Sequence, residues 1–198
     1  MTSIDLANVA LRAKGLDPGP VTPEEVEFAR EILRQRENGI IDAIHVLGLC
    51  GTVTDASLLE TYLHGEKNNL YAEYALKALC RYLALTDKYR PLLRAWVQEK
   101  SDSFRRMAAI HLAKEYFRDY HDNELGCYLV SVLCDMKDDC RGAVRYAFVE
   151  IFDLRAKLDD PFGLNFDDWD EDLTLIVSVA ATEFGMKELK ISIGDLAH

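Results

Sequence analysis

The sequence contains few of the residue patterns from which catalytic and metal sites are usually built. None of its five cysteines forms a CxxC pair with another, and none of its five histidines belongs to an HExxH motif. The GxSxG, P-loop and GxGxxG motifs are absent as well. We therefore expect no catalytic residue, no metal site and no cofactor. Most of the cysteines have apolar neighbours. We therefore expect them to be packing residues or surface thiols, without a redox or metal-binding role.

Long hydrophobic runs are also missing. No apolar run approaches the roughly 18–20 residues that span a membrane. The first residues lack the basic stretch and apolar core of a secretory signal. These features predict a cytoplasmic protein without membrane contact. Hydrophobic residues nevertheless make up 49% of the 198 residues, which excludes a disordered chain and is enough to bury the core of one domain.

Basic residues are scarce relative to acidic ones. The formal net charge is −11, and residues 156–198 alone carry 3 basic and 10 acidic side chains. Nucleic-acid binding depends on phosphate neutralisation by lysine and arginine, so this balance argues against a nucleic-acid partner. It favours a basic protein partner, although the same charge also serves solubility alone.

What the sequence does contain is a helix pattern that is repeated between Ile40 and Asp153. Four segments align without internal gaps at steps of 32, 33 and 36 residues, and the clearest of them, Phe104–Tyr116, is predicted as an amphipathic helix. The aligned columns are Ala43, Ala75, Ala108 and Val144; Leu47, Leu79, Leu112 and Phe148; and Val46, Ala78, His111 and Ala147. Because the other members of its column are apolar, His111 is predicted to be part-buried between helices. Shorter helices between these segments share the column Leu59, Leu92 and Leu129. Two helices per unit at this period indicate an α-solenoid.

Predicted helices flank the repeats on both sides. The first covers roughly Ile4–Lys14, with Ser3 as its expected cap. The second begins with a capping box formed by Thr22 and Glu25. A last helix is predicted from about Leu173 to Phe184.

These elements predict one all-α domain over residues 1–198. Its fold is a short right-handed α–α superhelix of about ten helices. Capping helices occupy 1–37, repeats occupy 38–155, and an acidic loop with a capping helix occupies 156–198.

The longer repeated helices resemble HEAT repeats, in which an arginine follows a turn aspartate and precedes alanine-rich packing positions. The matching residues are Asp102, Arg105 and Arg106 in one copy, and Asp138 or Asp139 with Arg141 in the next. An earlier copy departs from the pattern at Ala72. The resemblance covers roughly residues 38–155 and implies a specific fold with a broad range of functions. HEAT-like repeats occur in scaffolds, in bilin lyase subunits, in alkylpurine DNA glycosylases and in immunity proteins against bacterial toxins.

The strongest candidate for a binding site is the acidic and aromatic segment Asp159–Asp172, which has seven acids and no base. Such a segment suits docking of a basic protein, because the rings supply desolvated contact and the charges steer association. Alternatively, the rings pack on the last repeat while the carboxylates stay solvated. A calcium loop is disfavoured, because the central glycine and terminal glutamate of an EF-hand are missing. The predicted contacts are Phe166, Asp167, Asp168, Trp169 and Asp170.

Basic residues recur on the longer helices, which would line the concave side of a solenoid. The predicted partner contacts there are Lys77, Arg81 and Lys114. The alternative is that such cations form ion-pair ladders between units or a solvated face. A structural role of this kind, pairing with turn carboxylates, is expected for Arg105, Arg106 and Arg141.

Together these features predict a non-enzymatic protein-interaction module. Its most concrete form is a small bacterial immunity-type protein that binds and neutralises a basic toxin domain. One alternative is a HEAT-like enzyme or enzyme subunit, such as a tetrapyrrole lyase component or a DNA glycosylase-like protein. Another is a scaffold of a larger assembly. The sequence predicts no oligomeric state.

Overall fold

The computed structural model describes residues 4–65, 69–161 and 171–186. Those residues contain eleven α-helices and no β-strand, which confirms the predicted all-α class. In chain order the helices are α1 (Leu6–Ala13), α2 (Pro23–Gln35), α3 (Ile40–Cys50), α4 (Ala56–Glu60), α5 (Asn69–Lys77), α6 (Thr86–Val97), α7 (Ser103–Ile110), α8 (Ala113–Phe117), α9 (Asn123–Cys134), α10 (Arg141–Ile151) and α11 (Glu171–Glu183). A π-helical stretch, Ala78–Tyr82, continues α5. None of the described helices has the length and apolar character needed to cross a membrane.

The chain divides into two compact units between Glu115 and Tyr116. In the first unit α3 packs on α5 and α5 packs on α7, while α1 and α2 both pack on α3. Small side chains allow this close approach of neighbouring helices. The buried residues include the predicted columns Ala43, Ala75 and Ala108, and Leu47, Leu79 and Leu112.

In the second unit α9, α10 and α11 pack together with an aromatic cluster. The ring of Phe184, the residue after α11, lies 5.1, 6.0 and 5.8 Å from the rings of Phe117, Phe148 and Phe152, between centroids. The same ring lies against Gly126 of α9, where an added Cβ atom would come within 2.2 Å of it. Close packing therefore requires a glycine in the middle of this helix.

Local capping residues set where the first two helices begin. Thr22 and Glu25 form the predicted capping box: Thr22 Oγ1 accepts from Glu25 N at 3.3 Å, and the Glu25 carboxylate accepts from Thr22 N at 2.9 Å. The predicted cap Ser3 lies outside the described residues. The cap of α1 is Asp5, whose carboxylate accepts from two backbone N–H groups of the first turn. Serine and aspartate are both favoured caps, and the structure uses the residue that directly precedes Leu6.

The segment Phe104–Tyr116, predicted as one helix, is divided between α7 and α8. At the division Arg81 Nη2 donates to the His111 carbonyl at 3.0 Å. In a continuous helix that carbonyl would accept from the N–H of Glu115. The next N–H after His111 donates three residues back, at 3.1 Å, which tightens the chain into a turn. His111 is an exposed residue at this turn, while burial of part of its ring lowers its pKa.

Arg36 ends α2 with a positive φ of 57°. Three further non-glycine residues with positive φ follow later helices. They are Ala84 (φ 55°) after the π-helical end of α5, Asp119 (φ 54°) after α8 and Asp153 (φ 50°) after α10. Residues other than glycine seldom adopt this left-handed conformation, which commonly ends helices. Their spacings of 35 and 34 residues lie within the range of steps found in the side-chain columns.

Two buried arginines bind carbonyl groups at helix ends. Arg106 Nε donates to the carbonyl of Val97, the last residue of α6, at 3.1 Å. Arg141 Nε donates to that of Leu133, near the end of α9, at 2.9 Å. Since the last four carbonyls of a helix have no partner inside it, each arginine stabilises the end of the helix that precedes its own.

Arg105 makes the pair with a turn carboxylate that the sequence predicted. Its Nε lies 3.4 Å from Asp102 Oδ2, and its guanidinium lies 5.3 Å from the centre of the Trp96 ring. Asp102 also caps α7 by accepting from the Arg105 backbone N–H at 3.0 Å. Arg105 therefore stabilises the turn between α6 and α7.

Asp55 is a buried carboxylate, 5% exposed, that joins α2 to the turn before α4. It accepts from Arg30 Nε at 2.7 Å, from Arg30 Nη2 at 3.0 Å and from Thr52 N at 2.9 Å. Burial favours the neutral carboxyl group, but these hydrogen bonds and the arginine charge outweigh it and hold the pKa of Asp55 below its ordinary value. The ionised form therefore stabilises the folded state.

The contact between Gly126 and Phe184 can be tested with Gly126→Ala. We expect the free energy of unfolding to fall by about 1–3 kcal/mol, because the new methyl group displaces the ring. Urea unfolding followed by circular dichroism measures the change. Adding Phe184→Leu should cost less than the sum of the two single effects, and strict additivity would contradict the proposed contact. Ser131→Ala, on the exposed side of the same helix, should change stability by less than about 0.5 kcal/mol.

Asp55→Asn should reduce the free energy of unfolding by roughly 3 kcal/mol near pH 7, because it removes the charge that balances Arg30. The folded pKa of Asp55 lies below the unfolded value of about 3.9. Stabilisation by the carboxylate is therefore complete above the unfolded pKa and is lost as pH falls through the folded pKa.

Urea unfolding of both proteins at about pH 7, 5 and 3 measures this dependence, and the difference between them should shrink at the lowest pH. The control is Glu31→Gln, which removes the carboxylate of an exposed pair with Arg34. It should cost less than about 1 kcal/mol. A difference that stays constant across the three pH values would rule out the assigned role of the Asp55 charge.

Candidate protein-binding surfaces

The predicted concave contacts Lys77, Arg81 and Lys114 all belong to the first unit. Lys77 ends α5, Arg81 lies on its π-helical extension, and Lys114 lies on α8. Lys77 Nζ is 6.0 Å from the centre of the Tyr82 ring, and Lys114 is exposed. Their role as partner contacts stays a prediction.

Arg81 is held in place by a buried carboxylate. Glu115 is 5% exposed and accepts from Arg81 Nε and, at 3.2 Å, from Nη2. The same Nη2 donates to the His111 carbonyl at 3.0 Å. The guanidinium thus joins the end of α5 to the division between α7 and α8, while 38% of the arginine side chain remains exposed.

A neutral imidazole lies beside these cations. His45 of α3 makes an edge-to-face contact with Tyr74 of α5, with 5.5 Å between ring centroids. Burial lowers the pKa of His45 to about 4, and the charges of Lys14 and Lys77 act in the same direction. The His45 ring is therefore uncharged at neutral pH.

His111 provides a second neutral ring. Loss of hydration is the largest cause that lowers its pKa; Glu73 opposes this effect, and the charges of Arg81 and Lys77 add to it. We use the name basic face for the surface formed by His45, Tyr74, Lys77, Arg81 and His111. It combines Lys77 and the Arg81 guanidinium, which is paired with Glu115, with two uncharged imidazoles on packed helices.

Large apolar side chains extend the basic face along α5 and α7. Phe104 is 77% exposed, Leu70 66% and Met107 37%. Leu70 lies four residues before Tyr74, and Met107 four residues before His111, so each pair shares one side of its helix. Exposed aromatic and aliphatic side chains beside cations are typical of surfaces that bind other proteins.

The five predicted contacts of the acidic segment, Phe166, Asp167, Asp168, Trp169 and Asp170, lie outside the described residues. The described residues that flank the acidic segment are joined to each other by hydrogen bonds. Asp172, in the first turn of α11, accepts from Asp159 N at 3.0 Å and from Asp160 N at 2.7 Å. Arg145 Nη2 donates to Asp160 O at 2.8 Å and lies 3.6 Å from Asp172 Oδ2. We use the name clamp for Arg145, Asp159, Asp160 and Asp172.

The sequence does not reveal the clamp. Arg145 resembles the other cations of the repeats, and Asp172 resembles an ordinary first-turn acid of a helix. One signal was present: Arg145 aligns with Ile44, Leu76 and Ala109 of the other copies, and an arginine in such an apolar column requires an acceptor. The structure buries Arg145 to 4% exposure, supplies the Asp160 carbonyl as its acceptor and places the Asp172 carboxylate beside it as an ion-pair partner.

The cysteines and metal-binding residue types were also candidates for chemistry. Burial raises the pKa of Cys80 to about 12, so its thiol stays protonated at neutral pH. Within residues 4–65, 69–161 and 171–186, no group of three or more histidine, cysteine, aspartate or glutamate side chains is placed to hold a metal ion.

No protein-family model, no curated protein and no solved structure matches this chain. The basic face and the clamp therefore support the functional argument without help from relatives.

The ion pair between Arg81 and Glu115 should show an asymmetry between its two partners. Arg81→Met leaves the buried carboxylate without its cation, so we expect a loss of roughly 3 kcal/mol in the free energy of unfolding. Glu115→Gln should cost only about 1 kcal/mol, since the partly exposed guanidinium can be rehydrated. Urea unfolding near pH 7 measures both.

The matched control for Arg81→Met is Lys77→Met, which removes a cation from the same face. Its cation–π contact with Tyr82 accounts for at most about 1 kcal/mol. Equal losses from Arg81→Met and Lys77→Met would contradict a structural role for Arg81.

Proposed function

We propose that this chain is a non-enzymatic protein-binding module built as a short right-handed HEAT-like superhelix. Three repeated features of the described helices support this architecture. They are the buried alanine columns, the arginine bonds to preceding helix ends, and the left-handed residues that follow α5, α8 and α10. A stack of helix pairs presents a preformed surface, which loses little entropy when it binds.

The most concrete form of this proposal is a bacterial, cytoplasmic immunity-type protein that neutralises a basic toxin domain by covering it. The proposed contacts are Phe166, Asp167, Asp168, Trp169 and Asp170, with Lys77, Arg81 and Lys114 as further contacts. The observation that carries the proposal is the clamp, in which Arg145 and Asp172 hold both ends of the acidic segment together. Fixed ends reduce the conformational entropy that the segment loses on binding.

The charge distribution supports a basic protein as the partner. The net charge of −11 attracts a cationic domain over a distance and raises its association rate. Aromatic side chains at the centre of the contact would then supply the desolvated area on which affinity depends.

Replacing Asp167, Asp168 and Asp170 together by asparagine tests the proposal. Co-purification from the native source, followed by mass spectrometry, should yield a basic protein. Surface plasmon resonance should then show that the triple variant associates with it roughly tenfold more slowly at low salt. The difference should become smaller at high salt, because ions screen the charges.

The matched control removes the same three charges from exposed acids of the first unit, Glu24, Glu37 and Asp87. It should change the association rate by less than about threefold, because these acids lie outside the proposed contact. Recovery of no protein partner would overturn the proposed function. Equal effects of the two triple variants would overturn the acidic segment as the contact.

A further inference from the structure

The second unit contains a cleft of about 200 Å³ that neither the basic face nor the clamp includes. Its aromatic lining is Phe117, Phe152 and Phe184, and its more polar lining is Tyr120, His121 and Glu183. The volume is below the roughly 300–1,000 Å³ of sites that hold drug-sized ligands. The cleft is therefore suited to a single side chain.

The aromatic rings of the cleft are inclined to one another. Phe184 makes an angle of 44° with Phe117 and of 58° with Phe152, so the rings do not cover each other's faces by stacking. Phe184 is 7% exposed and is packed against Gly126, which fixes its position. Aromatic ring faces carry negative electrostatic potential and attract cations, and Tyr120, which is 42% exposed, is the most accessible phenylalanine or tyrosine of the lining.

Helix ends reinforce the preference for a cation. Ile151 and Glu183, the last residues of α10 and α11, both line the cleft. The C-terminal end of a helix carries a partial negative charge. The N-terminal end of α9 also borders the cleft, but the Asp122 carboxylate caps it by accepting from Leu125 N at 3.0 Å.

Glu183 adds a full negative charge to the cleft. Its side chain makes no hydrogen bond or ion pair with any other residue in the described ranges. A carboxylate in the last turn of a helix is also disfavoured by the partial charge of its own helix. Among the described residues, the cleft therefore combines a carboxylate without a partner, two helix C-termini and several aromatic rings.

We infer that this cleft binds the ammonium group of a lysine side chain presented by a basic polypeptide. The ammonium group pairs with Glu183, and the aliphatic part of the lysine packs against the phenylalanine rings. An uncharged apolar side chain would leave Glu183 unpaired, and an anion would be repelled by it. The inference rests on the proposed function only for the source of the lysine, because a basic partner supplies such side chains.

The test is a titration of the isotopically labelled full chain, followed by the amide resonances of Tyr120, His121 and Glu183. The probes are N-acetyl-lysine methylamide, its uncharged analogue N-acetyl-norleucine methylamide, and choline. We expect saturable shifts with the lysine probe, at a dissociation constant on the order of millimolar, and at least about fivefold weaker binding of the norleucine probe.

Glu183→Gln should weaken binding of the lysine probe at least about fivefold, while Glu37→Gln, an equal charge change in the other unit, should leave it within about twofold. Both residues are exposed, so the variants should fold normally, which circular dichroism checks. Equal binding of lysine and norleucine, or saturation by choline alone, would overturn the inference. An unchanged affinity in Glu183→Gln would overturn it as well.

This titration uses the free protein and needs no partner. Recovery of no protein partner, which would overturn the proposed function, would leave the lysine result unchanged. Failure of the lysine titration would in turn leave the acidic segment as a possible contact for a basic protein.

Discussion

The described fold depends on arginine side chains that donate to backbone carbonyl groups at helix ends and turns. The pairs are Arg106 with Val97, Arg141 with Leu133, Arg81 with His111 and Arg145 with Asp160. A buried carbonyl without a partner costs about 1–3 kcal/mol, so packed helices of this length require donors at their ends. Arginine suits the task, because it carries five donors on a long apolar stem. The buried basic side chains of the described residues are accordingly all arginine.

Because several arginines are used inside the fold, the number of basic residues in the sequence overstates the number of cations on the surface. Arg106, Arg141 and Arg145 are each at most 7% exposed, so they contribute little to the surface that a partner meets. Arg81 is partly exposed, but Glu115 compensates its charge. The surface of the repeated helices consequently presents fewer cations than the sequence implies, while residues 156–198 carry 3 basic and 10 acidic side chains. A basic protein remains the partner that this charge favours.

Features that depend on neighbouring residues could be predicted from the sequence, and those that depend on distant contacts could not. The capping box of Thr22 and Glu25 lies within one turn, and the alanine columns follow from helical periodicity. By contrast, the division at His111 involves Arg81, 30 residues earlier, and the need for Gly126 comes from Phe184, 58 residues later. Among the candidate sites, the basic face was foreseen in part through Lys77 and Arg81. The clamp and the cleft were not, because each joins side chains from separate helices.

Helix α11 connects the clamp and the cleft of the second unit. Asp172 in its first turn holds the clamp, and Glu183 at its end faces the aromatic cleft. Eleven residues of α-helix separate the two carboxylates by roughly 16 Å along the axis. That separation is shorter than the width of a standard interface, which buries about 800 Å² on each partner. In the proposed complex, a single basic domain would span both ends of α11. The helix fixes the spacing of the clamp and the cleft, so the proposal requires a partner whose lysine and neighbouring cations have the matching spacing.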